Sequence, residues 1–296
     1  MKKKKKQNKH LKKLRYFLEA VLTYTFYYIF QLIPVVLASK IGYFLGRTLV
    51  SFFVGDRKEE AIKNILLSFP EKTLSEAEEI FAESCGFFVA TIFEIPRLKD
   101  LANRITIIDE HNTLENIKNN KSLIFSAHIG NWEMFLYPFV NLTNKSFAIY
   151  KKPNNYFLES FFLKIRNPPK TMDLIRLNRE KLIYLHNQIK NSNVFINMLV
   201  DQKIREGIAV DFLGRPAYTS TFFSVLALKH NLPLTPVHVI RDPNCKFRII
   251  LEKPINIIPS GNKEEDIKNL TILMNSKIEE WIKENPSQWL WLHKRW

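Results

Sequence analysis

Residues 126–134, SAHIGNWEM, place His128 and Glu133 five positions apart with Gly130 between them. An imidazole can take a proton from a hydroxyl group near neutral pH. A carboxylate that accepts a hydrogen bond from its other ring nitrogen fixes the tautomer and stabilises the imidazolium. The two residues are therefore a candidate catalytic dyad. Ser126 lies on the same stretch, but its two-residue spacing from the histidine does not make it the serine of a triad.

The two side chains can meet only if a turn separates them. On a helix, five residues rotate by about 500°, which leaves the side chains roughly 140° apart. On a strand they point to opposite faces. Gly130 permits a turn, and Asn131 can cap a helix that begins at Trp132. The sequence predicts a strand, a turn and a helix whose N-terminus stabilises developing negative charge. A structural turn with an incidental His–Glu pair remains the alternative on the pattern alone.

The elements around this turn alternate along the chain. Apolar runs with strand-like composition follow amphipathic helical patterns from residue 103 onward, which predicts an α/β fold, an αβα sandwich with a mostly parallel sheet. The segment 131–141 is predicted as a helix. In such a sheet the carboxyl ends of the strands face the ligand crevice. Asp201 and Gln202 end a predicted strand, so they are candidates for active-site scaffolding or substrate contact, with turn residues as the alternative.

Charge and composition limit the function classes. The chain has 296 residues and a net charge of +15, and nine of its basic residues lie in the first 15 positions, which contain no acid. Such a protein prefers anionic partners: nucleic acid, acidic lipids or phosphorylated substrates. Dinucleotide-binding and P-loop glycine patterns and RNA-binding signatures are absent from the sequence. Cys85 and Cys245 lack metal-site spacing, which favours reduced structural thiols in a cytoplasmic-facing body.

The N-terminal region predicts contact with a membrane. Residues 20–39 carry no formal charge, about the length that spans a hydrocarbon core. A transmembrane or deeply interfacial helix is favoured, with a buried or monotopic amphipathic helix as the alternative, because a signal peptide would need a cleavage site that the segment lacks. The positive-inside rule keeps the lysines cytoplasmic. The predicted organisation is a basic tail (1–15), membrane-anchoring or interfacial helices (16–55) and one domain (56–296).

A second aromatic and basic cluster lies at the other end of the chain. Four of the five tryptophans lie in the last 16 residues, beside a short basic run: Trp281, Trp289, Trp291, Trp296, His293, Lys294 and Arg295. Aromatic residues interleaved with basic residues suit a membrane interface. They suit packing against the domain equally well, and the sequence leaves both open.

Four motifs in a fixed order resemble one family across almost the whole chain. They are SAHIGNWEM, RKEEAIKNILLSFPEKTLSE, MLVDQ with the following IAVDFLGRPAYT block, and the terminal NPSQWLWLHKRW. Together they are similar to the late acyltransferases of lipid A biosynthesis, within the glycerolipid acyltransferase superfamily and its HxxxxD/E motif. The chain departs from the family pattern after Thr219, where Ser220, Thr221 and Phe222 replace the usual glycine and small residue.

The resemblance implies a function for the candidate residues. It implies a glycerolipid-acyltransferase-like fold that moves a fatty acyl chain from acyl carrier protein to a hydroxyl group on a 3-hydroxyacyl chain of a Kdo-bearing lipid A precursor. The reaction would occur at the cytoplasmic face of the inner membrane, without a metal or bound cofactor and without nucleic acid. His128 would be the base and Glu133 would orient it. Arg166 and Arg176 would lie near the phosphorylated acceptor, since guanidinium groups suit phosphate.

Other functions remain open on the sequence. The acceptor of the same chemistry can be another glycolipid or a lysophospholipid. The dyad also suits a hydrolase that cleaves a thioester without an acceptor. A basic protein that binds membrane surfaces is the alternative that is not an enzyme.

Overall fold

The fold is described from a computed structural model, which covers residues 2–150, 153–166 and 172–296, with the side chains of residues 2–9 and 164–166 outside the description. Within these residues, seven strands form one sheet in the order β1-β9-β8-β2-β5-β3-β4. Five of the six neighbouring pairs are parallel, and only β8 and β9 are antiparallel. The predicted α/β fold with a mostly parallel sheet is confirmed.

The strands coincide with the apolar runs of the sequence. Those of the sheet are β1 Ile105–Ile108, β2 Ser122–Ser126, β3 Lys145–Ile149, β4 Met172–Ile175, β5 Val194–Leu199, β8 Leu234–Asp242 and β9 Lys246–Leu251. A separate antiparallel hairpin consists of β6 Ile208–Phe212 and β7 Arg215–Thr219. Leu213 and Gly214 connect its strands with positive φ angles of 49° and 74°, as a two-residue hairpin turn requires.

The helices follow the predicted amphipathic segments. They are α1 Lys2–Gln31, α2 Val35–Leu45, α3 Ser51–Phe53, α4 Asp56–Ser68, α5 Leu74–Glu94, α6 Thr113–Asn119, α7 Glu159–Arg166, α8 Arg179–Asn191, α9 Phe222–His230 and α10 Lys263–Glu284. The start of α5 carries the capping box that its sequence predicts, because Thr73 and Glu76 satisfy each other's backbone N–H groups.

Alternation along β2 divides two hydrophobic cores. Leu123 and Phe125 face one core, and Ile124 faces the other. The first core is closed by five helices, α4, α5, α8, α9 and α10, through side chains such as Ile65, Phe81, Leu185, Phe223 and Ile278. The second core is closed by α6 and by short 3-10 segments, through side chains such as Leu101, Ile117, Met134 and Phe139. The sheet is therefore covered on both faces.

The predicted helix over residues 131–141 does not form. The segment instead makes two short 3-10 turns, Trp132–Met134 and Tyr137–Phe139. Pro138 explains the difference, because a proline inside a helix lacks the N–H donor and clashes with the preceding turn. The prediction of a long helix with a macrodipole at Trp132 is wrong, and a single 3-10 turn follows His128.

The charge-free run 20–39 is also not one helix. Helix α1 ends at Gln31, and α2 begins at Val35, after Pro34. Helix α2 continues through a π-helical turn, Gly46–Val50, into α3. By length and composition, Val35–Phe53 is the one helix among the described residues that is long and apolar enough to cross a membrane, and 28% of it is buried in the protein. The helix that is apolar enough to span a membrane therefore begins at Val35 and not at residue 20.

Helix α1 lies against the body rather than apart from it. The Asn155 amide donates to the carbonyl of Tyr16 at 2.8 Å, and the rings of Phe17 and Phe157 meet edge to face at 6.0 Å. At the far end of the helix, Arg97 donates to the carbonyl of Gln31 at 3.1 Å. These contacts lie between Tyr16 and Gln31, so the C-terminal half of α1 is docked on the body.

Candidate active site

His128 and Asp201 come together where two neighbouring strands end. The backbone N–H of Val200 donates to the carbonyl of Ser126 at 3.0 Å and extends the ladder between β2 and β5 by one step. Asp201 directly follows Val200, and His128 lies two residues after Ser126. His128 Nδ1 lies 2.7 Å from Asp201 Oδ1, and the backbone N–H of His128 donates to Asp201 Oδ2 at 2.9 Å. One carboxylate therefore holds both the ring and the backbone of the histidine.

Asp201 is fully buried, yet its environment favours the charged form. The indole N–H of Trp289 donates to Asp201 Oδ2 at 2.9 Å, in addition to the two donors of His128. Burial alone raises the pKa of the Asp201 carboxyl, but the charge and hydrogen bonds of His128 and the neighbouring His293 overcome it and lower the pKa below its ordinary value. Asp201 is therefore an anion throughout the physiological pH range.

The ionised carboxylate determines which ring nitrogen is reactive. Because Asp201 can only accept, His128 Nδ1 carries the proton, and the lone pair lies on Nε2. The Gln202 amide nitrogen lies 3.4 Å from Nε2, and Gln202 is exposed. The His128 side chain keeps 13% of its surface exposed. A neutral imidazole with an accessible Nε2 can accept a proton from a substrate hydroxyl.

The turn after His128 depends on Gly130. Its φ is +59°, and a Cβ at this position would lie 2.2 Å from the carbonyl oxygen of Val239. A side chain is therefore excluded by the neighbouring strand as well as by the backbone conformation. The next residue, Asn131, accepts a hydrogen bond from the N–H of Glu133 at 3.1 Å. The predicted turn glycine and cap are both present, although they precede a 3-10 turn.

The structure gives the position at Nδ1 to Asp201, not to Glu133. Glu133 lies in the 3-10 turn Trp132–Met134 and is partly buried. Its assignment as the orienting carboxylate of His128 stays a prediction. Asp201 entered the sequence analysis as scaffolding or substrate contact, and its burial beneath His128 favours scaffolding. β2 and β5 lie far apart in the sequence. The His128–Asp201 pair can therefore be recognised only once the two strands are known to be neighbours in the sheet.

A buried ion pair lies on the other side of the same turn. Arg241 meets Glu94 in two contacts, Nη1 to Oε1 at 2.5 Å and Nη2 to Oε2 at 2.8 Å. The Asn131 amide donates to Glu94 Oε2 at 2.6 Å. The cap of the turn after His128 is therefore fixed by a charged pair in the interior. No local pattern in the sequence indicates this pair, whose members belong to α5 and β8.

One of the two predicted arginines, Arg176, lies at the same edge of the sheet, together with two further cations. Arg176 follows β4 and is exposed. Lys203 and Arg205 follow Asp201 and are exposed as well. Arg166 ends α7, and its side chain lies outside the described residues. The exposed cations make this edge attractive to anionic groups.

The C-terminal tryptophans pack inside the domain. Trp281, Trp289 and Trp291 are each at most 3% exposed. The predicted alternative of packing against the domain is therefore present, and that of a membrane interface is wrong for these three. The thiols of Cys85 and Cys245 are free and buried, and burial raises their pKa values to about 12 and about 11. Among the residues described, no group of three or more histidine, cysteine or acidic side chains is arranged to hold a metal ion.

Comparison with protein families finds a match over nearly the whole chain. The sequence model of a family described as bacterial lipid A biosynthesis acyltransferase matches residues 4–296. A comparison with curated protein sequences found no match. The matched range includes the turn at His128, the ends of β2 and β5, and the buried C-terminal segment.

Proposed function

We propose a specific reaction for this chain, which belongs to the family of bacterial lipid A biosynthesis acyltransferases and is an acyltransferase. It transfers a fatty acyl chain from acyl carrier protein to a hydroxyl group on a 3-hydroxyacyl chain of a Kdo-bearing lipid A precursor. The observation that carries the proposal is the His128–Asp201 pair, in which the carboxylate lies at Nδ1 and Nε2 lies on the other side of a ring that is partly exposed.

The chemistry needs only a base and an oriented thioester. His128 Nε2 takes the proton of the acceptor hydroxyl, and the oxygen forms a bond to the thioester carbonyl carbon. Asp201 stabilises the imidazolium that results. The carbon–sulfur bond then breaks, and the leaving thiolate takes the proton from His128. The amide of Gln202, beside Nε2, is placed to donate to the substrate. Glu133, the carboxylate of the HxxxxD/E motif, has the proposed role of orienting His128.

The charge at the site supports anionic substrates. Arg176, Lys203 and Arg205 lie on the segments that follow β4 and β5, next to the ends of the strands that carry the pair. Acyl carrier protein is acidic, and a lipid A precursor carries phosphates. Guanidinium and ammonium groups at the edge of the site favour both. Arg166 is proposed to contribute from the end of α7.

The N-terminal helices support action at the inner membrane, with the body on the cytoplasmic face. Large apolar side chains with at least half of their surface exposed run along these helices: Leu11, Leu14, Phe17, Leu18, Leu22, Tyr28, Ile29, Leu32, Leu37, Phe44, Leu49, Phe52 and Phe53. An apolar cleft of about 440 Å³ lies between α1 and Phe157. An apolar band next to a lysine-rich start suits an anionic bilayer, which attracts basic residues by roughly 1 kcal/mol each.

The deciding experiment combines cells and purified protein. Lipid A from cells lacking this protein is expected to lose one secondary acyl chain in mass spectrometry. The purified full-length enzyme is expected to transfer a labelled acyl chain from acyl carrier protein to a Kdo-bearing precursor. Unchanged lipid A together with acylation of a lysophospholipid would replace the proposed acceptor. Release of free fatty acid without an ester product would make the protein a thioester hydrolase.

A further inference from the structure

The C-terminal residues 288–295, here called the C-terminal strap, run directly beside the turn that carries His128. The backbone N–H of Leu290 donates to the carbonyl of His128 at 3.0 Å, and the N–H of Gly130 donates to the carbonyl of Gln288 at 3.0 Å. Between them, Ile129 and Trp289 form an antiparallel bridge. The strap therefore pairs with the turn as a short extra strand would, and it fixes the backbone from the carbonyl of His128 to the N–H of Gly130.

The strap also reaches the partner of His128. Trp289 is 1% exposed, and its indole N–H donates to Asp201 Oδ2 at 2.9 Å. The same oxygen accepts the backbone N–H of His128, so Oδ1 is left for His128 Nδ1. The carboxylate is thus held on one oxygen by two N–H groups of fixed geometry. Its rotation is restricted, and its second oxygen points at the imidazole.

Both ends of the strap are anchored in the interior. At one end, the side-chain amide of Gln288 exchanges two hydrogen bonds with the backbone of Arg241, at 2.7 and 2.9 Å. At the other end, Arg295 is fully buried and donates to Thr219 Oγ1 at 2.7 Å and to Asn275 Oδ1 at 3.2 Å. A segment tied at both ends holds what it touches in a fixed place, which a free C-terminus does not do.

A histidine of the strap, His293, also lies next to the His128–Asp201 pair, and it adds no charge there. Its Nε2 lies 3.3 Å from the backbone carbonyl of Asp201, and its ring lies 5.8 Å from that of His128. Burial, opposed by the charge of Asp201, lowers the pKa of His293 to about 4. His293 is therefore neutral near pH 7, and the charge of Asp201 remains available to an imidazolium at His128.

We infer that Trp289, within the C-terminal strap, is the positioning residue that sets the orientation and basicity of the Asp201 carboxylate toward His128. The inference rests on the proposed role of the His128–Asp201 pair. An indole N–H on Asp201 withdraws charge from the carboxylate, which makes His128 less basic than it would be beside an otherwise unbonded aspartate. Trp289 thus adjusts the pKa of the base as well as its geometry.

The test is the pH profile of acyl transfer by full-length Trp289→Phe, which keeps an aromatic ring and removes the N–H. We expect kcat to fall about 10- to 100-fold, because the carboxylate loses a geometric constraint. We also expect the acidic limb of the profile to move to higher pH, because the base is more strongly protonated. The matched control is Trp291→Phe, whose indole N–H donates to the carbonyl of Pro286 at 2.7 Å and not to Asp201. It is expected to leave the acidic limb in place.

The outcomes separate this inference from the proposed function. If His128→Ala is inactive but Trp289→Phe has the wild-type rate and pH profile, the inference is overturned while the base remains. If a folded His128→Ala transfers normally, the proposed function fails before the strap is considered. If both tryptophan variants move the acidic limb equally, the strap has only a structural role, which also overturns the inference.

A measurement on the wild-type enzyme covers the case in which Trp289→Phe does not fold. The indole proton of Trp289 is expected to titrate in NMR spectra with the same midpoint as the acidic limb of kcat, since it is bonded to the carboxylate that faces His128. The indole proton of Trp291, which donates to the carbonyl of Pro286, is the internal comparison. An indole signal of Trp289 that is insensitive to pH across that limb overturns the inference.

Discussion

Asp201 Oδ1 lies 2.7 Å from His128 Nδ1, although the two residues are 73 positions apart in the sequence. The other oxygen of the carboxylate accepts two N–H groups, from the His128 backbone and from Trp289. Oδ1 therefore orients the imidazole, and Oδ2 holds the carboxylate in place. This asymmetry also decides what an amide in place of the carboxylate would do.

Asp201→Asn is expected to lower acyl transfer by about 10²–10⁴-fold, comparable to His128→Ala, on the scale of general-base catalysis. The two N–H donors hold the amide oxygen at the position of Oδ2, so the amide NH₂ faces His128 Nδ1. That nitrogen must then accept, the proton moves to Nε2, and the base has the wrong tautomer. The measurement is transfer of a labelled acyl chain, with circular dichroism as the control for folding. Either variant, if folded and above about a tenth of the wild-type rate, contradicts the assignment.

Glu133→Ala is expected to lower transfer at least tenfold, because this carboxylate lies on the same turn as His128. Since Asp201 occupies Nδ1, the isosteric Glu133→Gln is expected to retain more activity than Asp201→Asn. Steady-state kinetics of the two variants, compared with wild type, measure the difference. Equal losses would make Glu133 a full partner in orienting the base, and full activity of Glu133→Ala would remove it from the mechanism.

Local sequence patterns predicted the helices and strands better than they predicted which of them lie next to each other. The strands β2 and β5 are short apolar runs, and Gly130 and Asn131 signal the turn, so each piece could be found locally. The pairing of His128 with Asp201 depends on the order of strands in the sheet, which local patterns do not contain. Trp289 is 88 positions from Asp201, and its role depends on where the C-terminus packs. Pro138 is a local signal against the helix predicted over residues 131–141, because proline disfavours a helix interior.

Stability is expected to fall as the pH is lowered through the range set by His293. The unfolded histidine, with an ordinary pKa near 6.5, takes up a proton that the folded one, with a pKa of about 4, does not. Its contribution is therefore complete above about pH 6.5 and is lost as the pH falls to about 4. At most on the order of 3 kcal/mol is involved. Denaturant unfolding of wild type and His293→Gln across pH 4–7 measures it, and parallel curves would contradict the prediction.

The Glu94–Arg241 pair allows stability and activity to be separated. Arg241→Met is expected to destabilise the protein by about 3–5 kcal/mol, because it leaves Glu94 buried without a counter-charge. The double variant Glu94→Leu/Arg241→Met is expected to recover most of this loss. It also removes the acceptor of the Asn131 amide, so the turn after His128 loses its support. We therefore expect a stable but slow enzyme, as seen in a double-mutant cycle of unfolding and a parallel transfer assay. A double variant with the wild-type rate would show that the pair does not position the turn.

Removal of residues 1–33 is expected to release much of the protein from membranes, while the acyltransferase body stays folded. The cut lies in the break between α1 and α2. It spares α2, which packs so closely on α5 that a Cβ at Gly42 would lie 2.9 Å from the Cα of Ala90. Deletion removes the basic tail and the exposed apolar side chains of α1, whereas Phe52 and Phe53 remain. Weak residual binding is therefore expected, and it should depend less on salt than that of the full chain, because fewer exposed charges contribute. Sedimentation with anionic vesicles at low and high salt measures both effects. Full sedimentation of the truncated protein at every salt concentration would show that α1 is not the main membrane contact.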